Sequence, residues 1–335
     1  MISGLQALDA ITDRIFAYHP SKRSAAIKKD FSVVSLFSGC GGLDLGFMGG
    51  FKFHGKVYER LPYKIVWAND IKASACKTYR ANLKHEINCD DVWGVLSTLP
   101  KTADIVIGGF PCQDVSINGL IQGADGVRTN LYKALVEAVR RTHPRIFVAE
   151  NVKGLLMPVN KDFYNEIIGA FVALGYDVPT PQVYLAADYG VPQMRERIFI
   201  VGTRGRTKKF VPPLPSVTKD ERVTAKQAVE DLRDAPENKS INHIWSRAAR
   251  SSEQGDRVLK ANRPADTMRA ECHGNIQFHY ELPRRISMRE AARFQSFPDN
   301  FIFQGGLRET ERQVGNAVPP VLAWYIARAV RDCLI

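Results

Sequence analysis

A chain of 335 residues, 45% hydrophobic and 24% charged, has the composition of a globular protein and excludes a disordered or fibrous one. It is long enough for one large domain plus a smaller one, no apolar run approaches the roughly 18–20 residues that span a bilayer, and the N-terminus lacks an apolar signal core. Six cysteines without C-x-x-C spacing argue against a zinc site or a disulfide framework and for a reducing, cytoplasmic compartment, while a net charge of +11 points to a polyanionic partner.

Residues 1–30 read as an extension, with Lys22, Arg23, Lys28 and Lys29 near its end; a helical or frayed tail is favoured over a DNA-contacting arm. From Phe31, apolar runs recur at 31–37, 63–69, 103–109, 145–149 and 198–202. Between them lie amphipathic stretches. In 131–142, Leu131, Leu135 and Val139 share one helical face, and in 161–174 so do Phe163, Ile167, Phe171 and Leu174, with Gly175 as a stop. Strand alternating with helix predicts an α/β fold with a mostly parallel sheet covered on both faces.

The pattern breaks after Thr203. Residues 204–285 hold six of the 18 prolines and place Trp245, Phe278 and Tyr280 among basic residues. Their 17 Lys+Arg against 11 Asp+Glu supply more than half of the net positive charge. Periodicity returns near Ile286 and ends in an apolar helix over roughly 319–332, with Pro319-Pro320 suited to its first turn. The expected organisation is an extension over 1–30, a catalytic and cofactor domain over 31–203, a separate lobe over 204–285, and a segment over 286–335 that returns to the first domain.

Ser35-Leu36-Phe37-Ser38-Gly39-Cys40-Gly41-Gly42-Leu43 follows the first strand. Glycines there let backbone approach a ligand at a helix N-terminus, although G-x-G-G also serves ordinary tight turns. Asp70 ends the next strand, where a carboxylate accepts hydrogen bonds from ribose hydroxyls or acts as a cap. Asp90-Asp91 ends a third segment, with helix N-capping as the competing role. These signals fit a dinucleotide or S-adenosylmethionine, and the downstream chemistry has to decide.

That chemistry starts at Ile105-Val106-Ile107-Gly108-Gly109, which delivers Phe110-Pro111-Cys112-Gln113 into a polar, glycine-rich loop, a place for a nucleophile rather than a packing thiol. Glu150 ends another apolar run. Gln193, Arg195 and Arg197 are two apart, so in an extended chain they project from one face, either as a solvated charged edge or into one pocket, and the strand-end cysteine and glutamate favour the pocket. Cysteine, carboxyl and guanidinium suit covalent activation of a cytosine. C5 is too poor a nucleophile until a thiolate adds at C6, an acid protonates N3 and a donor holds O2. Glu150 would serve as that acid if partial burial raised its pKa. Gly119, Gly123 and Gly126 make 113–128 a candidate closing loop.

The set resembles the bacterial DNA cytosine-5 methyltransferases over about residues 31–335. The matching blocks, in the family's order, are Phe37-Ser38-Gly39-Cys40-Gly41-Gly42, Gly109-Phe110-Pro111-Cys112-Gln113, Glu150-Asn151-Val152, Gln193-Met194-Arg195-Glu196-Arg197, Arg289-Glu290-Ala291-Ala292-Arg293-Phe294-Gln295-Ser296-Phe297-Pro298 and Gly315-Asn316-Ala317-Val318-Pro319-Pro320. The resemblance implies a Rossmann-like S-adenosylmethionine-dependent fold with a target-recognition lobe at 204–285. It implies Cys112 as nucleophile, Glu150 at N3, Arg197 at O2 and Arg195 in support. For the cofactor it implies Phe37, Gly39, Cys40, Gly41, Gly42, Asp70, Ile71, Asp91, Val92 and Asn316. Gln113, Ser116, Arg128 and Gln193 would contact the substrate. The expected activity is methyl transfer to C5 of a flipped-out cytosine in double-stranded DNA, as the modification half of a restriction-modification system. The enzyme would act as a monomer without metal or membrane, in the bacterial cytoplasm near the nucleoid. Rival readings are a tRNA cytosine-5 methyltransferase, whose Cys-Phe-Thr motif is not found, a silent DNA-binding regulator, and more distantly a nicotinamide-dependent oxidoreductase.

Overall fold

The computed structural model describes residues 30–111, 131–247, 257–270 and 277–335. In chain order the strands are β1 (Phe31–Leu36), β2 (Phe51–Phe53), β3 (Lys56–Tyr58), β4 (Tyr63–Asp70), β5 (Asn88–Cys89), β6 (Ile105–Gly109), β7 (Ile146–Asn151), β8 (Val183–Leu185), β9 (Gln193–Met194), β10 (Glu196–Thr203) and β11 (Ala265–Asp266). The helices are α1 (Gly42–Met48), α2 (Ala73–Leu83), α3 (Val92–Val95), α4 (Leu131–Thr142), α5 (Lys161–Ala173), α6 (Ala225–Val229), α7 (Met288–Phe294), α8 (Leu307–Asn316) and α9 (Pro320–Leu334).

Seven strands form the main sheet in the order β5-β4-β1-β6-β7-β10-β8. The first five are parallel, whereas β10 runs antiparallel to β7 and β8 antiparallel to β10. The fold is the expected α/β, Rossmann-like arrangement, and each apolar run lies at a strand. The runs in β6, β7 and β10 lack polar alternation because both faces are covered, whereas β4 exposes Lys64 and Val66. Val33, Ile107, Val148 and Val201 join one apolar cluster with residues of α1, α7 and α9. Their neighbours Val34, Val106, Phe147 and Ile200 join a second cluster with Leu135 and Val139 of α4 and Ile167 and Phe171 of α5. On α4 the opposite face carries Glu137, which pairs with Arg140 and Arg141, each at 2.6 Å.

Helix α9 begins where Pro319 caps it and Pro320 opens its first turn. It crosses α1 at backbone distance. A Cβ placed on Gly46 would lie 2.3 Å from the Ala323 Cβ and 2.7 Å from the Pro320 carbonyl. The last helix thus backs the helix that follows the glycine loop. The described residues of 204–285 carry little regular structure, but Ala225, Val229, Leu259 and Met268 belong to the same cluster as α1 and α9. The aromatic residues there are packed among cations. Arg284 and Arg247 lie 4.4 and 5.3 Å from the Trp245 ring centre, and Arg285 lies 4.5 Å from that of Phe278. Among the described residues no helix is long and apolar enough to cross a membrane, and no cluster of three acidic, cysteine or histidine groups is placed to hold a metal.

Gly46→Ala forces a methyl group into the α1–α9 contact, an overpacking that costs about 1–3 kcal/mol. Calorimetry should show a melting temperature several degrees lower; an unchanged one would contradict the close approach.

Candidate active site

Parallel strands end at one edge of a sheet, so the chain segments that leave β1, β4, β5, β6 and β7 gather there. Strand β10, being antiparallel, starts at that edge. This topology alone collects residues 37–42, 70–71, 90–92, 110–111, 150–151 and 193–197.

The glycine loop is held from below. Phe37, Gly39 and Gly41 have φ of 54°, 56° and 96°, which turn the chain sharply after β1. The Ser38 N–H donates to the Asn69 carbonyl at 2.9 Å and the Gly39 N–H to Asp70 Oδ2 at 2.9 Å. Asp70 Oδ1 accepts from the Lys72 N–H at 2.8 Å, and burial raises its carboxyl pKa. A Cβ on Gly41 would meet Leu83 Cδ1 at 2.5 Å, and one on Gly42 the Val318 carbonyl at 2.4 Å. Above Gly39 a Cβ would meet nothing within 4 Å. The loop is therefore tight toward the protein and open on the other side. Since Gly42 abuts 317–318, the neighbouring Asn316 at the end of α8 stands beside the loop.

Beneath the loop lies a buried carboxylate that the sequence reading passed over. Asp44, in the first turn of α1, accepts from the Ser35 hydroxyl at 3.0 Å and the Tyr79 hydroxyl at 2.9 Å. Desolvation pushes its pKa up to about 6. The available signal was an acidic residue inside the apolar run Leu43-Asp44-Leu45-Gly46-Phe47.

At the outer strands, Asp91 takes the capping role that competed in the sequence. It N-caps α3 by accepting from the Trp93 N–H at 2.9 Å, while Asp90 accepts from the Asp91 N–H at 2.7 Å. Val92 is buried. Ile71 and Trp93 expose 60% and 47% of their surface, large apolar groups at the rim of this edge. Trp93 was not singled out from the sequence.

At the centre, Gly109 of β6 is in register with Glu150 of β7. A Cβ on Gly109 would sit 2.8 Å from Glu150 Oε2, so only glycine leaves that carboxylate its place. Arg197 Nε lies 2.7 Å from Glu150 Oε1, and both side chains are nearly buried. Asn151 Nδ2 donates to the Phe110 carbonyl at 3.3 Å, fixing the exit of β6. Cys112, Gln113, Ser116 and Arg128 lie outside the described residues. Among the described cysteines, burial raises the thiol pKa of Cys40 and Cys76, and that of Cys333 to about 11, so none of these three suits a thiolate.

Gln193 and Arg195 do not pair with Glu150 as Arg197 does, though Arg195 stands near enough for the charges of Arg197 and Glu150 to act on it. Gln193 and Arg195 are both buried, and the chain breaks its extended course at Arg195, between β9 and β10. Gln193 Nε2 donates to the Phe294 carbonyl at 3.0 Å and to Gln295 Oε1, and Gln193 Oε1 accepts from the Met268 N–H at 2.8 Å. Arg195 donates to the Met268 and Gly315 carbonyls, each at 2.9 Å. The expectation that the three alternate residues face one pocket is corrected for Gln193, whose hydrogen bonds go to Met268, Phe294 and Gln295. Irregular backbone from distant segments takes up the Gln193 and Arg195 side chains, and Arg197 alone of the three pairs with Glu150.

A carboxyl whose folded pKa is raised binds its proton more tightly in the native state, so its contribution to stability falls as pH rises through the window from 3.8 to about 6. Asp44→Asn should flatten the pH dependence of unfolding free energy across that window by on the order of 1–3 kcal/mol, read by denaturant titration at successive pH values. Parallel curves for the two proteins would refute this account of Asp44.

Residues 31–332 match the family model described as C-5 cytosine-specific DNA methylase. The chain is 36% identical over 332 residues to Type II methyltransferase M.NgoFVII of Neisseria gonorrhoeae, covering 89% of this chain and 86% of that protein. It is 34% identical over 340 residues to Type II methyltransferase M.FnuDI of Fusobacterium nucleatum, covering 90% and 94%. Among solved structures, a prophage-encoded E. coli protein described as a DNA modification methyltransferase aligns with a TM-score of 0.66 at 24% identity, over 91% of this chain and 99% of that one. S. pombe Dnmt2 aligns at 0.63 and 16% identity, over 90% and 98%. These structural likenesses speak for the fold. The chain belongs to the C-5 cytosine-specific DNA methylase family.

Proposed function

We propose that the protein methylates C5 of cytosine in duplex DNA with Cys112 as nucleophile, Glu150 as the acid at N3 and Arg197 as the donor at O2. One observation carries the assignment: Glu150 and Arg197 are paired at 2.7 Å beside Gly109, the last residue of β6, from which Phe110 and Pro111 lead on. A neutral cytosine resists attack at C6. Protonation of N3 and a cationic donor at O2 draw electron density from the ring, and the Cys112 sulfur then bonds to C6. That leaves an enamine at C5. Once C5 carries the methyl group, its proton departs to a base, the N3 proton returns to Glu150 and the Cys112 thiolate is expelled, restoring the aromatic ring. A stacked cytosine hides both faces, so the base has to leave the helix, at a few kcal/mol.

The pocket fits the cofactor expected for this chemistry, because the loop is open above Gly39 and closed beneath it. Gly39, Gly41 and Gly42 with Phe37, Asp70, Ile71, Asp91, Val92 and Asn316 would hold S-adenosylmethionine, which supplies an electrophilic methyl group. Asp70 already orders the Gly39 amide, so its role there includes shaping the loop. Residues 204–285 would read DNA in the major groove, with basic side chains on phosphates. The similarity to Type II methyltransferases favours the modification role of a restriction-modification system; action as a monomer is part of the proposal. The similarity favours neither tRNA as substrate nor a silent regulator.

Bisulfite sequencing of DNA from expressing cells should show one cytosine modified in a fixed context; transfer of label into tRNA but not duplex DNA would overturn the reading. Glu150→Gln should lower kcat by on the order of 10²–10⁴-fold, with the KM for the methyl donor little changed. Gly109→Ala, which displaces the same carboxylate, should lower kcat by on the order of 100-fold. Near-normal turnover in either variant, measured with radiolabelled donor, would count against Glu150.

A further inference from the structure

We infer that Arg195 is a positioning residue: its one guanidinium ties the recognition segment to the cofactor rim and so couples DNA binding to cofactor binding. This rests on the proposed function. Arg195 is 1% exposed. One terminal nitrogen donates to the Met268 carbonyl and the other to the Gly315 carbonyl, each at 2.9 Å. Met268 belongs to the 204–285 segment, and Gly315 precedes Asn316. The chain leaving Arg195 enters β10 at Glu196 and reaches Arg197, the partner of Glu150. Three parts that are remote in sequence therefore meet on a single side chain.

The surrounding contacts make the junction stiff. Strand β11 pairs with β9 at Ala265–Gln193 and Asp266–Met194, and Thr267 donates to the Met194 carbonyl at 2.7 Å. Gln193 holds the Met268 N–H from the other side. Gln295 donates to the Val314 and Ala317 carbonyls at 2.9 and 2.6 Å. A Cβ on Gly315 would lie 2.4 Å from the Arg269 carbonyl carbon and 2.5 Å from the Ala270 nitrogen, so the two backbones are in direct contact. Residues 317–318 then abut Gly42 of the cofactor loop. Displacement of 265–270 is thus passed to 315–318 and on to the loop. The device needs a planar fork. A lysine ammonium carries the charge but does not present two parallel, rigidly spaced donors. Arg195 Nε has no hydrogen-bond partner among the described residues, so the side chain is retained at the expense of an unmet buried donor.

Coupling between two ligands is reciprocal and typically amounts to about 5–150-fold. The test measures binding of a duplex carrying the modified site, with and without S-adenosylhomocysteine. Wild type should show at least about fivefold tighter duplex binding with S-adenosylhomocysteine, and Arg195→Lys should bring the ratio to about one. A wild-type ratio of one, or a ratio that survives Arg195→Lys, overturns the inference while leaving the reading of the site intact. A wild-type protein that binds neither ligand overturns that reading and the clasp with it. If Arg195→Lys does not fold, hydrogen exchange on wild type decides. Saturation with S-adenosylhomocysteine should slow exchange of the Met268 amide, and protection confined to the glycine loop would refute the connection.

Discussion

The ion pair between Glu150 and Arg197 is the constraint around which the proposed reacting end is built. It exists because the last long strand enters the sheet antiparallel. A parallel β10 would present its first residues at the opposite edge, away from the end of β7. As built, Arg197 and Glu150 leave neighbouring strands on the same face, within 2.7 Å. Removing water from both charges is costly unless they meet, and unless the remaining oxygen finds room. Gly109 supplies that room, because any side chain there would contact Glu150 Oε2. A single glycine in β6 thus serves the carboxylate of β7 more than the strand that contains it.

The glycine loop, the proposed cofactor end, follows a different logic. Its backbone bends through left-handed conformations at Phe37, Gly39 and Gly41, and these are held by hydrogen bonds from β4 and by packing against α2 and the 317–318 segment. The cost of bending is met by burial elsewhere. Asp44 is the price of a firm base: a carboxylate kept dry, bonded to Ser35 and Tyr79, and raised to about 6 by that burial. The loop is rigid below and open above, the preorganisation a ligand site requires.

Much of this was legible in the sequence, and the reasons are physical. Strands covered on both faces give uninterrupted apolar runs, so 31–37, 103–109 and 145–149 announced themselves. Helices α4 and α5 lie where Leu135, Val139, Ile167 and Phe171 repeat at helical spacing. Glu150 and Arg197 were readable because strand ends are where a parallel sheet displays polar groups. The bonding of Gln193 and Arg195 was not legible, because alternation holds only while the chain stays extended, and it breaks at Arg195. Their partners lie 73 to 120 residues away, beyond any local pattern. Asp44 was hidden because its neighbours come from β1 and α2. Asp91 shows the reverse case, where the plainer capping role is the bonding observed.

Sulfur at position 112 forming a bond to the pyrimidine is the central chemical claim. A fluorine at C5 cannot depart as a proton does, so a duplex with 5-fluorocytosine at the modified position should halt the cycle after methyl transfer. Incubated with the protein and S-adenosylmethionine, it should yield a covalent complex whose digest, by mass spectrometry, carries the nucleotide on Cys112. No adduct, or an adduct on a different residue, would contradict the account.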